Sequence, residues 1–318
     1  MVVLHSFDRR LTNNTKAIIL YVEFTKMSVM RKLVGFAREN DIKVEDVEIE
    51  QPPPLMEAKM AAVVTLRLPN KENHLEFLEN SKYIKENPFE VTGEVLVLAG
   101  DIGYLKDKTL PSLKFWKWAS SNYREVLLVP GNHEFYGNSD VQAYGDSWSR
   151  KILSNVHYYQ NKVIRVENVD FILSTLWSYI RPEDEYFVHR GMNDFRQILY
   201  NGLRFTPADF NVEHEKCLNF IKKSVAKSTA EHIVVVTHHL PSLAVVAPEH
   251  RGSLLNSAFA SELGDFIADS RIDTWIYGHS HTNEETVIGN TRIVCNQLGY
   301  VFHREHLGGF DGGKYIEL

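Results

Sequence analysis

The stretch Glu94–Asp101, EVLVLAGD, is a run of Val and Leu that ends in Gly and Asp. A continuous apolar run of this length, closed by glycine, predicts a strand that is buried on both faces, as in the centre of a parallel sheet. Runs of the same form recur along the chain as EVLLVPGNHE (Glu125–Glu134), DFILSTLW (Asp170–Trp177), HIVVVTHH (His232–His239) and DTWIYGHSH (Asp273–His281). We therefore predict several buried strands that present polar side chains at their carboxyl ends.

Helical patterns lie between these runs, and the clearest are LPSLKFWKWASS (Leu110–Ser121) and ADFNVEHEKCLNFIKKSVA (Ala208–Ala226). Strands that alternate with amphipathic helices indicate an α/β region in which helices cover the sheets. The segments 178–206 and 241–257 have no such pattern and are long for connections in a packed domain. Segments of this kind often carry function, so we expect them to be loops around a site.

The N-terminal part of the chain has a different pattern. From Ala17 onward, AIILYVEF, SVMRKLVGFAREN, KVEDVEIE and MAAVVTLRL follow one another, and ENHLEFLENSKYIKEN comes next. Their periodicities predict a small βαββ segment with a following helix. The pattern resembles an ACT-like or ferredoxin-like regulatory domain. We predict three parts: an N-terminal extension over 1–16 to which we assign no role, this segment over 17–80, and a larger domain over 81–318.

Composition restricts the class of protein. Hydrophobic residues make up 44% of the chain and charged residues 24%, which is typical of a folded globular protein rather than a disordered one. A formal net charge of −6 argues against a general nucleic-acid-binding surface. Cys217 and Cys295 match no metal or redox spacing and indicate reduced thiols. With neither a long apolar run nor a leader-like start, these features predict a cytoplasmic protein without a membrane segment.

Polar side chains follow four of the predicted strands. They are Asp101, Asn132, His133, His238, His239, His279 and His281. Oxygen and imidazole ligands of this kind suit manganese, iron or zinc. Because parallel strands bring their carboxyl ends to one edge of a sheet, we expect these residues to meet there.

The motifs LAGD, VPGNHE, VVTHH and YGHSH, in this order, resemble those of the calcineurin-like metallophosphoesterase family over residues 81–318. The resemblance implies an α/β fold with four αββα layers, in which two packed β-sheets are flanked by helices. It also implies a pair of divalent metal ions at the strand ends.

The resemblance further implies a role for each matching residue. Asp101 would bridge both ions, and His281 would bind the second ion. His133, next to a ligand, would act as the general acid or stabilise the transition state. The first ion would also be held by Asn132, His238 and His279.

Residues in the two long loops are candidates for binding the substrate. Asn193 and Arg196 lie in FVHRGMNDFRQI, and Arg251 lies in PEHRGSLLN. An arginine could grip a phosphate through forked hydrogen bonds, but solvated loops with local salt bridges are an open alternative. His239 is expected on the substrate side as a neighbour that orients the site rather than as a ligand.

The first motif of the family, a strand that ends in Asp-x-His, is altered here. The stretch Lys71–Phe77, KENHLEF, has Glu72 where the family has Asp, followed by His74. Pro69, just before it, is poorly suited to a central strand. Three alternatives stay open: Glu72 and His74 bind the ion in an altered geometry, the ion site is weak or empty, or the stretch is merely helix.

The sequence thus predicts a metal-dependent phosphoesterase that hydrolyses a phosphomonoester or phosphodiester with water activated by two ions. Mn²⁺ is the expected metal, with iron or zinc as alternatives, and a small-molecule or nucleotide-like phosphate ester is the expected substrate. A regulatory protein that keeps the fold and binds metal or ligand, but has lost efficient catalysis, is the alternative function. Nothing in the sequence predicts the oligomeric state.

Overall fold

Two six-stranded sheets organise the part of the chain that the computed structural model describes, residues 59–64 and 75–318. The first sheet contains, in spatial order, β15 (Tyr315–Glu317), β1 (Lys59–Val64), β2 (Val95–Leu98), β3 (Glu125–Leu128), β6 (Val156–Gln160) and β5 (Trp148–Leu153). The second contains β13 (Thr286–Ile288), β14 (Thr291–Val294), β12 (Thr274–Ile276), β11 (His232–Thr237), β8 (Val169–Ser174) and β7 (Lys162–Val166). A small third sheet contains β10 (Leu203–Arg204), β9 (Ile198–Tyr200) and β4 (Ser139–Asp140).

The two large sheets have the same plan. In each, the inner strands run parallel, and one antiparallel strand lies at either edge. The helices are α1 (Leu75–Glu86), α2 (Lys114–Asn122), α3 (Glu185–Gly191), α4 (Asp194–Gln197), α5 (Pro207–Lys227) and α6 (Gly264–Ala268). Because the inner strands are parallel, the loops at their carboxyl ends gather at one edge of each sheet.

The two sheets share one core. Side chains alternate between the faces of a strand, so Val95 and Val97 of β2 point to the face opposite that of Leu96 and Leu98. Val95 and Val97 are fully buried in one cluster with Phe171 of β8 and Val234 of β11. That cluster joins strands of both sheets, which therefore pack face to face.

The outer faces of the sheets are buried as well. Leu96 and Leu98 pack in a second cluster with Trp116 of α2, whose indole N–H donates to the carbonyl of Leu110 at 2.7 Å. On the second sheet, Trp275 packs in a third cluster with Ile221 of α5. These contacts confirm the predicted α/β class. Truncating a buried tryptophan such as Trp116 to alanine costs about 3–5 kcal/mol.

Strand β1 differs from the sequence-based assignment. The prediction puts MAAVVTLRL in the segment 17–80, whereas the described strand pairs in parallel with β2, with Val64 opposite Leu98. On its other side β1 pairs with β15. A strand of mostly small and branched apolar residues suits this inner position. The rest of the predicted βαββ segment lies outside the described residues, and the description resumes with α1 at Leu75.

Candidate metal centre

Four polar side chains from four strand ends converge on one point. His238 Nε2 lies 3.1 Å from Asn132 Oδ1, 3.0 Å from His279 Nδ1 and 3.4 Å from Asp101 Oδ1. The ligand atoms of Asp101, His238 and His279 all lie within 4.8 Å of one another. All four residues are buried. We call Asp101, Asn132, His238 and His279 the inner cluster.

The backbone at these strand ends adopts an unusual conformation. Asp101, His279 and His281 have positive φ angles of 60°, 72° and 57°. Residues with a Cβ rarely adopt this region, and each instance costs about 1–3 kcal/mol unless the surroundings compensate. Such strain is often found at functional sites. Its presence at three of the predicted ligands therefore agrees with a functional site at this edge.

Two glycines let the backbone approach the ligand atoms closely. A Cβ on Gly131 would lie 2.3 Å from Asp101 Oδ1, and a Cβ on Gly100 would lie 2.4 Å from His238 Nδ1. Gly100 also has a φ of +87°, which other residues rarely adopt. The glycines of LAGD and VPGNHE therefore leave the space that the carboxylate and the imidazole occupy.

The protonation pattern of the inner cluster suits a cation. His238 Nδ1 lies 2.8 Å from the carbonyl oxygen of Ala99, which can only accept a hydrogen bond. The proton therefore belongs on Nδ1, and His238 Nε2 presents a lone pair to the cluster. Asn132 donates through Nδ2 elsewhere, which turns its Oδ1 inward. The carboxylate of Asp101, the amide oxygen of Asn132 and the His238 lone pair thus face one another beside His279 Nδ1, and a divalent ion fits such a donor set.

Burial keeps the nearby imidazoles neutral. Desolvation, followed by the neighbouring imidazoles, lowers the pKa of His279 well below its ordinary value. Desolvation and then the electrostatic effect of the neighbouring His238 imidazole lower the pKa of His239 in the same way. Neutral imidazole is the form that binds metals. Among the described residues, neither His279 Nε2 nor His239 Nε2 has a hydrogen-bond partner.

Glu134, to which the sequence analysis gave no role, holds two of the ligand loops together. Its buried carboxylate accepts hydrogen bonds from the hydroxyl of Tyr158 at 3.1 Å and from the backbone N–H groups of Asp101, Ile102, Gly103 and Gly131. Desolvation, and then the negative charge of Asp101, raise the pKa of Glu134 to about 7. The backbone donors oppose this shift. Glu134 therefore joins the loop after β2 to the loop after β3.

His133 lies at the rim of the inner cluster. Its backbone N–H donates to Asp101 Oδ1 at 3.0 Å. Its half-exposed ring stacks on Tyr136, with the ring centroids 4.0 Å apart and the planes 24° apart. The imidazole is therefore held beside the cluster and is accessible from solvent.

His281 lies outside the inner cluster. Its Nδ1 is 3.0 Å from Glu305 Oε2, and its backbone N–H donates to Gln297 Oε1 at 2.8 Å. The ring packs edge-on against Tyr300, with centroids 4.9 Å apart. Its side chain is 20% exposed. No local sequence pattern indicated Glu305, which lies in a loop near the C-terminus.

Asp194 has a different environment from the one expected for a loop residue. It is buried, its Oδ1 accepts from Asn132 Nδ2 at 3.0 Å, and its Oδ2 accepts from the hydroxyl of Tyr136 at 2.9 Å. Desolvation raises the pKa of Asp194 to about 6, and the two hydrogen bonds oppose that shift. The carboxylate therefore contacts one member of the inner cluster from outside.

The predicted substrate-binding residues are found in three kinds of environment. Arg196 donates to the carbonyl of Arg190 and to Asn193 Oδ1, which are the local loop contacts of the open alternative. Arg251 is exposed. His239 is fully buried, and its ring packs against Trp177 and His279.

The residues of the altered first motif are not among those described. Glu72 and His74 lie outside the described residues, which resume at Leu75, the first residue of α1. The strand before them, β1, ends beside β2, whose following loop carries Asp101. All three alternatives for KENHLEF therefore stay open.

Two packed sheets with buried carboxylate, amide and imidazole groups at their strand ends form a candidate metal centre in an α/β fold. A family model for calcineurin-like phosphoesterases matches residues 72–283, more than half of the chain, and the chain belongs to this family. It is therefore a hydrolase of phosphoric esters, and the family implies divalent metal ions.

Two comparisons add to this assignment. An uncharacterised protein of Acanthamoeba polyphaga mimivirus is 28% identical over 271 residues, which are 77% of this chain and 94% of the viral protein. The crystal structure of phosphopantetheinyl hydrolase from Mycobacterium tuberculosis is similar with a TM-score of 0.55 at 12% identity, over 81% of this chain and 96% of that one. The latter likeness supports the fold. No helix in the described part of the chain is both long and apolar enough to span a membrane.

Proposed function

We propose that this chain hydrolyses a phosphomonoester or phosphodiester with water activated by two divalent ions, of which Mn²⁺ is the expected metal and iron or zinc the alternatives. The observation that carries the proposal is the convergence of lone pairs in the inner cluster, with His238 Nε2 3.0–3.4 Å from three other ligand atoms. Acceptor atoms brought this close repel one another unless a proton or a cation lies between them. A bound cation removes that repulsion.

The residues divide into two groups around Asp101. The inner cluster would hold one ion, and Asp101 together with His281 would hold the other. Glu72 and His74 are assigned to the second ion on the strength of the first motif alone. The family match begins at Glu72, which supports this placement.

Divalent ions held there would neutralise phosphate charge and lower the pKa of a bound water molecule to about 7. The proton for the leaving oxygen would come from a side chain of the protein. His133, accessible at the rim, would donate a proton to the leaving oxygen, which is general acid catalysis. The hydrogen bond from its backbone N–H to Asp101 keeps the ring beside the inner cluster.

A second function deserves a direct test, because one observation favours it. His281 forms a 3.0 Å contact with Glu305 and lies outside the inner cluster. If the position beside His281 never takes up a second ion, the protein would bind one metal ion and act as a regulatory protein with little catalysis. The two functions differ in the number of ions bound under conditions in which esters are hydrolysed.

The test is an assay on aryl phosphate mono- and diesters, a nucleotide and a phosphopantetheinyl ester, with Mn²⁺ added in steps and bound metal measured in the same samples. We expect hydrolysis that rises with Mn²⁺ up to two ions per chain. His133→Ala is the control, because it should lower turnover while the bound metal stays the same. A chain that holds two ions yet hydrolyses none of these esters would contradict the proposal, and saturation at one ion without hydrolysis would support the regulatory alternative.

A further inference from the structure

The side-chain amide of Asn132 can face the inner cluster with either its oxygen or its NH₂ group. The two ends of its side-chain amide have almost the same shape, but only the oxygen can bind a cation, and the NH₂ end repels one. In the structure Oδ1 lies 3.1 Å from His238 Nε2, on the side of the inner cluster. A contact on the far side of the amide must therefore hold the NH₂ group outward.

Asp194 supplies that contact. Its carboxylate is 1% exposed and accepts from Asn132 Nδ2 at 3.0 Å. An ionised carboxylate accepts hydrogen bonds and donates none, so it binds the NH₂ end and rejects the oxygen end. Neither a hydroxyl nor an amide at this position would discriminate between the two ends, because both can donate and accept.

The second oxygen of Asp194 reaches the neighbour of His133. The hydroxyl of Tyr136 donates to Asp194 Oδ2 at 2.9 Å, and the ring of Tyr136 stacks on His133. The position of the tyrosine ring is thereby fixed at its hydroxyl end. One carboxylate thus contacts both the inner cluster and the ring that supports the proposed general acid.

Asp194 is itself rigidly placed. It begins α4, and the next residue, Phe195, is buried in the core cluster that contains Trp116. At the other end of α4, the carbonyl of Gln197 accepts from the backbone N–H of Asn138 at 2.8 Å. The segment 178–206 is therefore anchored beside the VPGNHE loop.

We propose that Asp194 is a positioning residue that holds the Asn132 amide with its oxygen toward the metal site and, through Tyr136, steadies the ring of His133. This inference rests on the proposed function. A packing role alone does not explain a carboxylate here, because burying a negative charge costs more than burying an amide of the same shape. What distinguishes the carboxylate is that it accepts from both partners and donates to neither.

The first test is Mn²⁺ titration of the full chain, with the unbound ion followed by its electron paramagnetic resonance signal. Asp194→Asn should weaken the tighter Mn²⁺ site about 10- to 100-fold, the range for loss of an outer partner of a metal ligand. The matched control is Tyr136→Phe, which leaves the Asp194–Asn132 hydrogen bond intact. It should keep the Mn²⁺ affinity within about threefold and lower kcat with little change in KM.

The second test is a swap that a purely structural role would not rescue. In Asn132→Asp/Asp194→Asn, Tyr136 can donate to the new amide oxygen at position 194, which leaves that amide's NH₂ to donate to the new carboxylate at position 132. The swap should therefore bind Mn²⁺ more tightly than Asp194→Asn alone. Thermal unfolding of the metal-free variants reports whether each one folds.

The outcomes distinguish a failure of the proposed function from a failure of the role assigned to Asp194. Wild-type protein that binds no Mn²⁺ would overturn the proposed function. Wild-type binding combined with undiminished binding by a folded Asp194→Asn, or a swap no tighter than the single variant, would overturn only the role of Asp194. If the single variant does not fold, the swap decides alone: Mn²⁺ affinity within about tenfold of wild type supports the role, and weaker binding overturns it.

Discussion

The inner cluster and His281 have different surroundings, although His281 shares the loop after β12 with His279. The inner cluster is buried on loops that follow inner strands of the two sheets, and His238 Nε2 lies 3.0–3.4 Å from one ligand atom of each other member. His281 is partly exposed, and its Nδ1 contacts Glu305 in a C-terminal loop. The other residues predicted to bind the same ion as His281 are Glu72 and His74, which lie outside the described residues.

In the proposed two-ion centre, one half is therefore organised before metal binds, and the other half is not organised to the same degree. Ligands on packed strand ends need little rearrangement to bind, so more of the interaction energy appears as affinity. A partly exposed imidazole paired with a carboxylate must retain or exchange that partner when an ion binds. We therefore expect one tight and one weak ion, with activity that rises only as the weak position fills.

The largest effect should come from Asp101, the residue assigned to both halves. Asp101→Ala removes the carboxylate that we propose binds both ions, so both ions and all hydrolysis should be lost together. Metal content by elemental analysis and turnover on an aryl phosphate check this expectation. Two tightly bound ions in the variant would contradict the assignment of Asp101 and remove the link between the two halves.

The variant His133→Ala tests whether turnover can be lowered without a change in metal binding. His133→Ala should lower kcat about 10²- to 10⁴-fold, the usual contribution of a general acid, while both Mn²⁺ affinities stay unchanged. Its ring stacks on Tyr136 and lies at the rim, so its loss leaves the four side chains of the inner cluster in place. Equal loss of metal and turnover would identify His133 as a ligand instead.

The variant Glu305→Gln tests the weaker ion position, at His281, by itself. A carboxylate that accepts from one ring nitrogen of a histidine orients the ring and makes the other nitrogen a better ligand. Glu305→Gln should therefore weaken the looser Mn²⁺ site about tenfold and leave the tighter site unchanged. Glu215→Gln, the same substitution at an exposed position of α5, is the matched control. An equal shift of both sites would show that Glu305 supports the whole fold rather than His281.

The proximity of the four inner-cluster residues could be predicted from the sequence because it depends on local patterns, whereas their role as metal ligands stays a prediction. Each of Asp101, Asn132, His238 and His279 follows an apolar run, and parallel strands bring such ends together. The resemblance then supplied the order of the motifs. The class of fold followed from the same runs and was confirmed.

The remaining contacts could not be predicted, because they join residues far apart in sequence through loops. Asn132 meets Asp194 across 62 positions, and neither residue lies in a periodic pattern that specifies the other. Glu305 meets His281 in the same way. Strand β1 was assigned to the N-terminal segment because its pattern alone does not specify its partner, and only the ladder with β2 does so.

The smallest expected effect concerns Glu72, and it bears on whether the weaker half is completed by the first motif. The strand β1 ends beside β2, and the family match begins at Glu72. If Glu72 reaches the second ion, its extra methylene displaces the carboxylate by about an ångström from the position of the family's Asp, enough to disturb a metal ligand.

Glu72→Asp should then tighten the weaker Mn²⁺ site several-fold and raise activity at low Mn²⁺, whereas His74→Ala should weaken the same site. Manganese titration of both variants beside wild type checks the pair. If neither variant changes the weaker site, KENHLEF is not the missing motif and other residues complete the shell around His281.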